Sequence, residues 1–209
     1  MNYLFLSQAF YPTISLLGND EKILYSVIQY PNDESPNNLL YITKTMFDIL
    51  KFEKRDLTHI LVVNGPGSFT GTRIGVVDAK ILSFALNIPL IPVNSLELIS
   101  RHVGNLKIKA VLSAGRNEFF VAEFENGARS SPDEIKTISE LQNLESDLIV
   151  SFEDLSYANL KNFKKIFVDP EVIHSLALLK ISRGEQIGDP LSLKPIYLRA
   201  EDKLFKKMR

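Results

Sequence analysis

The feature that most constrains this chain is the stretch Asn64-Gly-Pro-Gly-Ser-Phe-Thr-Gly-Thr-Arg-Ile-Gly75. An apolar run, Ile60-Leu-Val-Val63, precedes it, and an amphipathic segment reaching about Leu86 follows. The layout is strand, glycine turn, helix. Gly65 and Gly67 permit positive φ or close backbone approach, and Pro66 fixes one φ between them. Ser68 is placed to cap the helix with its hydroxyl, with the first free N–H groups pointing outwards. Such a turn is either a ligand cradle or a rigid packing hinge.

Its spacing fits neither common phosphate motif. Five residues separate Gly65 from Gly71 where a P-loop has four, and Thr72-Arg73 replaces Lys-Ser/Thr. Gly65, Gly67 and Gly71 approximate a dinucleotide fingerprint, but Pro66 intrudes. Ile91-Pro92 then stands where a ribose-binding carboxylate belongs. The helix carries two rows. Ile74, Val77, Ile81 and Ala85 form an apolar stripe expected to cover a sheet. Gly71, Gly75, Ala79 and Ser83 form a row of small residues that lets another backbone approach closely. Each mid-helix glycine costs about 1 kcal/mol against alanine, so the row needs a packing reason. The neighbour is either the helix expected over 39–50 or a helix of another subunit.

Turn signals divide the rest of the chain. Strands are expected at 3–7, 13–17 and 22–29, separated by Tyr11-Pro12 and Gly18-Asn19-Asp20. A loop over 31–36 follows, then the 39–50 helix, the central strand and helix, and a strand over 88–93 whose prolines suit an edge. The order then partly repeats. A helix over 95–102 capped by Ser95 leads to strands at 108–113 and 118–124 and a turn at Asn126-Gly127. Ser131-Pro-Asp-Glu134 reads as the opening of a helix, with its carboxylates at the helix start. Strands at 147–151 and 163–168 and a helix over 171–183 complete the repeat, and Glu153-Asp154 again reads as a helix start. A loop over 188–199 and a short final helix with the basic tail Lys203–Arg209 end the chain. The expectation is an α/β fold of two lobes, 1–94 and 95–209, with mixed sheets flanked by helices and the second lobe reduced.

Several chemistries are disfavoured. The 209 residues include no cysteine, which removes disulfides, thiol catalysis and cysteine metal sites, and fits a reducing cytoplasm. A net charge of −1 provides no global field for nucleic acid. No secretory signal or membrane-length apolar run is visible, so a cytoplasmic location is expected. His59, His102 and His174 are scattered with no triad or metal spacing, and Ser68 lies outside a G-x-S-x-G elbow.

The residues Gly65–Gly75, Ala79-Lys80, Pro89–Glu97 and Pro195-Ile-Tyr-Leu-Arg199 resemble the TsaB (YeaZ) family. The resemblance implies an actin-like ATPase (ASKHA) fold of two ribonuclease-H-like lobes. It also implies a role in making threonylcarbamoyladenosine next to the tRNA anticodon, as a non-catalytic partner of a TsaD-type subunit, joined by a TsaE-type ATPase. ATP/ADP and metal would then sit on the partner subunits, with none held here, and tRNA would be met only through the complex. The implied partner interface is Gly65, Gly67, Ser68, Phe69, Thr70, Gly71, Gly75, Ala79 and Ser83. Departures from the fold's ATP-binding pattern agree with this. Ser7-Gln8-Ala9 stands where relatives show Asp-Thr-Ser, and Ser113-Ala114-Gly115 where they show Asp-Ala-Arg. A serine lacks the anionic oxygen that Mg²⁺ prefers. No His-x-x-x-His occurs over 35–50. The alternatives are a nucleotide-binding enzyme of the same fold and a self-associating homodimer using the same helix.

Overall fold

The computed structural model describes residues 1–30, 39–143 and 148–198. Strands β1 (Asn2–Ser7), β2 (Thr13–Asn19) and β3 (Ile23–Gln29) form an antiparallel meander. The second turn is held by Asn19, whose Oδ1 accepts from the Glu21 and Lys22 N–H groups at 2.8 Å. Helix α1 (Leu39–Leu50) leads to β4 (His59–Gly65), parallel to β1. Helix α2 (Phe69–Leu86) leads to β5 (Leu90–Asn94), parallel to β4. The sheet order is β3-β2-β1-β4-β5, so Pro92 lies on an edge, where a missing N–H is tolerated.

The second half repeats this order. Helix α3 (Ser95–Arg101) is followed by the antiparallel pair β6 (Ile108–Gly115) and β7 (Glu118–Glu125). The short strands β8 (Ala128–Arg129) and β9 (Glu134–Thr137) both pair with β7. Helix α4 (Ile138–Gln142) leads to β10 (Leu148–Ser151) and β11 (Phe163–Lys165), which add in parallel beside β6. Helix α5 (Pro170–Ser182) closes the unit. The order β8/β9-β7-β6-β10-β11 matches that of the first sheet, which is the expected duplication, with β8 to β11 shorter than their counterparts.

Side-chain alternation along the strands sets the layers. Tyr3, Phe5, Leu61 and Val63 of the first sheet share one core with Ile108, Ala110 and Leu112 of the second. Leu96, Ile99, Ile173 and Leu176, from α3 and α5, fill that core between the sheets. Leu4, Leu6, Ile60 and Val62 point the other way, under α1 and α2. Val111, Val121 and Ile149 face outwards under Leu141 of α4.

Local details differ from the sequence expectations. Ser131-Pro-Asp-Glu134 opens no helix: Glu134–Thr137 pairs along β7, and Thr137 and Glu140 form the capping box of α4. The Asp133 carboxylate is occupied instead by the Asn94 amide, 2.6 Å from Oδ2, and the Arg129 guanidinium. Asn94 rather than Ser95 caps α3, accepting from the Leu96 and Glu97 N–H groups. The strand at 163 stops at Lys165. The loop over 31–36, Asp147 and the final helix with its basic tail lie outside the described residues.

Candidate functional site

The glycine turn is a clasp on the loop that follows β1. The Ser68 N–H donates to the Ala9 carbonyl at 2.6 Å, and Ser68 Oγ accepts from the Gly71 N–H at 3.2 Å, which caps α2 as expected. Gly67 touches the Ala9 carbonyl so closely that a Cβ would stand 2.0 Å from its oxygen. Gly65 takes φ +106, open to few residues besides glycine.

The segment after α5 braces the turn from its other side. It returns to the first sheet, with the Ile187 N–H on the Leu90 carbonyl (3.0 Å) and the Ile196 N–H on the Asn64 carbonyl (2.8 Å). Lys80 Nζ donates to the Leu193 carbonyl at 3.1 Å, and Arg73 Nε to the Tyr197 hydroxyl at 2.5 Å. The Arg73 guanidinium lies 3.7 Å from the Phe69 ring centroid and 5.3 Å from that of Tyr197.

A cleft runs between the ends of the two sheets. One cavity of about 230 Å³ is lined by Ser68, Phe69, Thr72, Ser113 and Tyr197. A second, about 330 Å³, is lined by Gln8, Tyr11, Ser68, Thr70, Ser113 and Glu153. The structure therefore brings Ser68 and Ser113 to one place, although they are 45 positions apart in the sequence. Ser7 is fully buried at the end of β1, opposite Ile14. Among the described residues, the carboxylate lining the second of these cavities is Glu153, whose Oε2 accepts from the Ser113 N–H at 2.7 Å. Burial pushes its carboxyl above the usual range, and the Ser113 N–H opposes that only in part. Asp154 caps the turn at Ser156, as a carboxylate at a helix start should, but Glu153 does not. Nothing local in the sequence marks Glu153, because β6 and β10 converge only in three dimensions. Among the described residues, no three His, Asp or Glu side chains cluster to hold a metal.

The two rows of α2 are exchanged relative to expectation. Gly71, Gly75, Ala79 and Ser83 are buried within this chain. A Cβ on Gly75 would meet Gln8 at 3.6 Å and Leu39 of α1 at 3.9 Å, and Ser83 Oγ donates to the Ile88 carbonyl at 2.5 Å. Of the two neighbours considered for the row, it is the chain's own α1 and β1 loop that lie there. These four residues, with the buried Gly65, therefore offer no free surface, while Ser68, Phe69 and Thr70 are exposed. The apolar residues face out instead: Ile74 is 41% exposed, Val77 50%, Ile81 56% and Phe84 66%. Their 3-4-3 spacing is the one found along seams between packed helices. The sequence pattern puts Ala85 at the end of this row where the structure has Phe84, and it does not tell which row the sheet would take. The reason is steric: the Gln8–Ala9 loop presses on the start of α2, and only residues without bulk fit beneath.

The three histidines have structural partners. His59 Nδ1 meets Thr58 Oγ1 at 2.9 Å, and His174 Nδ1 meets the Tyr3 hydroxyl at 2.7 Å. His102 bonds the Leu98 carbonyl and accepts the Asp169 N–H, and burial holds its ring below the usual range.

The duplicated sheets and the cleft between them define a two-lobed α/β protein, with Ser113 in the cleft and Ser7 buried at the end of β1. Residues 32–173 match the family model of TsaD, tRNA N6-adenosine threonylcarbamoyltransferase. The chain is 32% identical over 119 residues to the tRNA threonylcarbamoyladenosine biosynthesis protein TsaB of Bacillus subtilis (strain 168). That match covers 54% of this chain and 51% of the relative, so the chain spans about half the length of that protein. It is 30% identical over 165 residues to the Uncharacterized protein MG208 of Mycoplasma genitalium, covering 77% of this chain and 74% of the relative. The solved structure of YeaZ from Pseudomonas aeruginosa superposes with a TM-score of 0.77 at 19% identity, covering 94% of this chain and 99% of that one. The chain belongs to the TsaB (YeaZ) family, within the wider family that the TsaD model describes.

Proposed function

We propose that this protein acts in tRNA threonylcarbamoyladenosine biosynthesis as a non-catalytic subunit that pairs with a TsaD-type threonylcarbamoyltransferase. The observation that carries the reading is the exposed seam of α2, Ile74, Val77, Ile81 and Phe84, on a helix whose other face is fixed by its own chain. An apolar row of this kind is costly to leave in water and suits a partner helix. The relatives' names supply the process and the class of partner.

Burying the seam would bias the partner towards its competent state, an allosteric role that requires no chemistry in this chain. ATP/ADP and metal belong on the partner subunits in this reading, with a TsaE-type ATPase joining the pair and tRNA reached through the complex. Ser7 and Ser113 support that division of labour, since neither supplies an anionic metal ligand. A second reading, self-association, rests on the same seam, which could pair with its own copy when the partner is absent.

Ile81→Arg tests the assignment, because a site already 56% exposed tolerates the charge in the isolated chain. With the wild-type fold retained by circular dichroism, calorimetry should show binding to the TsaD-type subunit weakened about tenfold or more. Unchanged affinity would place the interface elsewhere. Light scattering of the isolated chain, before and after the substitution, reads self-association by the same face.

A further inference from the structure

A third cavity adjoins the cleft and shares Tyr11, Ser113 and Glu153 with the second. It is an open pocket of about 350 Å³, enough for a small organic ligand. Three tyrosines from separate segments line it: Tyr11 from the loop after β1, Tyr30 just past β3, and Tyr157 from the turn after β10. All three are substantially exposed, at 49%, 45% and 59%. Tyr157 is steadied by stacking on Phe119, with ring centroids 6.4 Å apart.

The charged groups of the cavity are unequal. Asp154 caps Ser156 and feels Lys165, which keeps its carboxyl below the usual range. Lys165 sits on the same lining and lies 5.7 Å from the Phe167 ring centroid. Glu153, at the inner wall, is different. It takes one backbone N–H from Ser113, and among the described residues it forms no ion pair. Even a partly buried carboxylate without a counter-ion costs free energy, and such groups gather where a ligand completes the pairing.

We propose that this cavity binds an organic ammonium group, with the tyrosine rings receiving its alkyl shell and Glu153 acting as its counter-ion. Aromatic faces attract a cation through their negative quadrupole, and the attraction strengthens where water is excluded. Glu153 adds charge selectivity: it favours a cation and repels a phosphate brought to the same wall. The site goes beyond the pairing role, because it shares no residue with the α2 seam.

The test uses the full chain, uniformly ¹⁵N-labelled, titrated with choline or with 3,3-dimethyl-1-butanol, its uncharged isostere, at constant ionic strength. Choline should give saturable shifts at the Ser113, Glu153 and Tyr157 amides, with the alcohol weaker by about tenfold or more. Equal binding of the two compounds, or no saturable shift from choline, overturns the proposal. So does an equal or stronger response of the same amides to ADP. Glu153→Gln, nearly isosteric, and Tyr157→Ala, at an exposed position, should each weaken choline about tenfold. Retained affinity in both variants sinks the assignment of these residues. Nα-acetyl-lysine methylamide forms the second arm. Tighter binding than choline assigns the ammonium to a partner's side chain, and weaker binding assigns it to a free small molecule. Ile81→Arg should leave the choline shifts unchanged, so a failure of the pairing role and a failure of this site are read separately.

Discussion

Gly71 of α2 lies against Gln8 so closely that a Cβ on it would stand 2.0 Å from the Gln8 carbonyl oxygen. The obstacle is backbone and cannot swing aside. Gly71→Ala gains about 1 kcal/mol in helix propensity and loses more, since overpacking costs about 1–3 kcal/mol and here displaces a loop. Gly75 differs. Its nearest neighbour would be 3.6 Å away, an ordinary contact, so Gly75→Ala should be neutral or stabilising by up to about 1 kcal/mol. Urea unfolding of the two variants should therefore move in opposite directions. Equal losses would show that the clasp on Gln8 is not what fixes the helix.

The pair also explains what the sequence could and could not reveal. Turn punctuation and strand alternation made the repeated strand order readable, because both are local signals. The two rows of α2 were equally readable as rows. Which one the sheet would accept depended on how near Gln8 comes, and that is a tertiary distance. Ser131-Pro-Asp-Glu134 failed for a similar reason. Its side chains suit a helix cap, but Asn94 and Arg129, both distant or across a turn, capture Asp133 first. Glu153 reaches the cleft through a loop whose sequence resembles any helix start, and only its bond to Ser113 distinguishes it.

The segment after α5, which lies as a strap over the glycine turn, should open if its aromatic clamp is removed. Tyr197 holds Arg73 by a hydrogen bond, and Arg73 in turn stacks on Phe69. Tyr197→Ala removes about 1–2 kcal/mol of such contacts. Hydrogen exchange should accelerate about tenfold at the Ile196 amide, which bonds Asn64, with little change at Phe5 in the central strand. Unchanged exchange at Ile196 would mean that the backbone bonds alone hold the strap.

Asp78 makes stability depend on pH in a direction opposite to that of most carboxylates. Burial raises its carboxyl from 3.8 to about 6. Above pH 6 the native state holds a buried charge that the unfolded chain keeps in water, which is a cost to folding. As pH falls through 6 towards 3.8, the native state takes up the proton first and the cost is relieved. Asp78→Asn should therefore raise the melting temperature at pH 8, and its advantage should vanish below about pH 4. A gain independent of pH would point to helix propensity rather than charge.

Between the two sheets, Lys180 of α5 is 6% exposed, and its ammonium lies 3.1 Å from Glu97 Oε2 of α3 and 2.7 Å from Glu185 Oε2. Glu97 also meets Arg101 at 3.5 Å, so its own charge is shared. Removing the lysine leaves two partly exposed carboxylates, Glu97 (22%) and Glu185 (35%), facing each other without their cation, a loss below the roughly 3–5 kcal/mol of a fully buried pair. Lys180→Met keeps the aliphatic stem and isolates that electrostatic loss. Adding Glu97→Gln should restore part of it, because Glu185 then no longer faces a second carboxylate, while Glu97→Gln alone should cost less than Lys180→Met. A double-mutant cycle by urea unfolding measures the coupling directly. A coupling near zero would mean that α3 and α5 are held by Ile99, Ile173 and Leu176 alone, with the lysine placed between the sheets for no energetic reason.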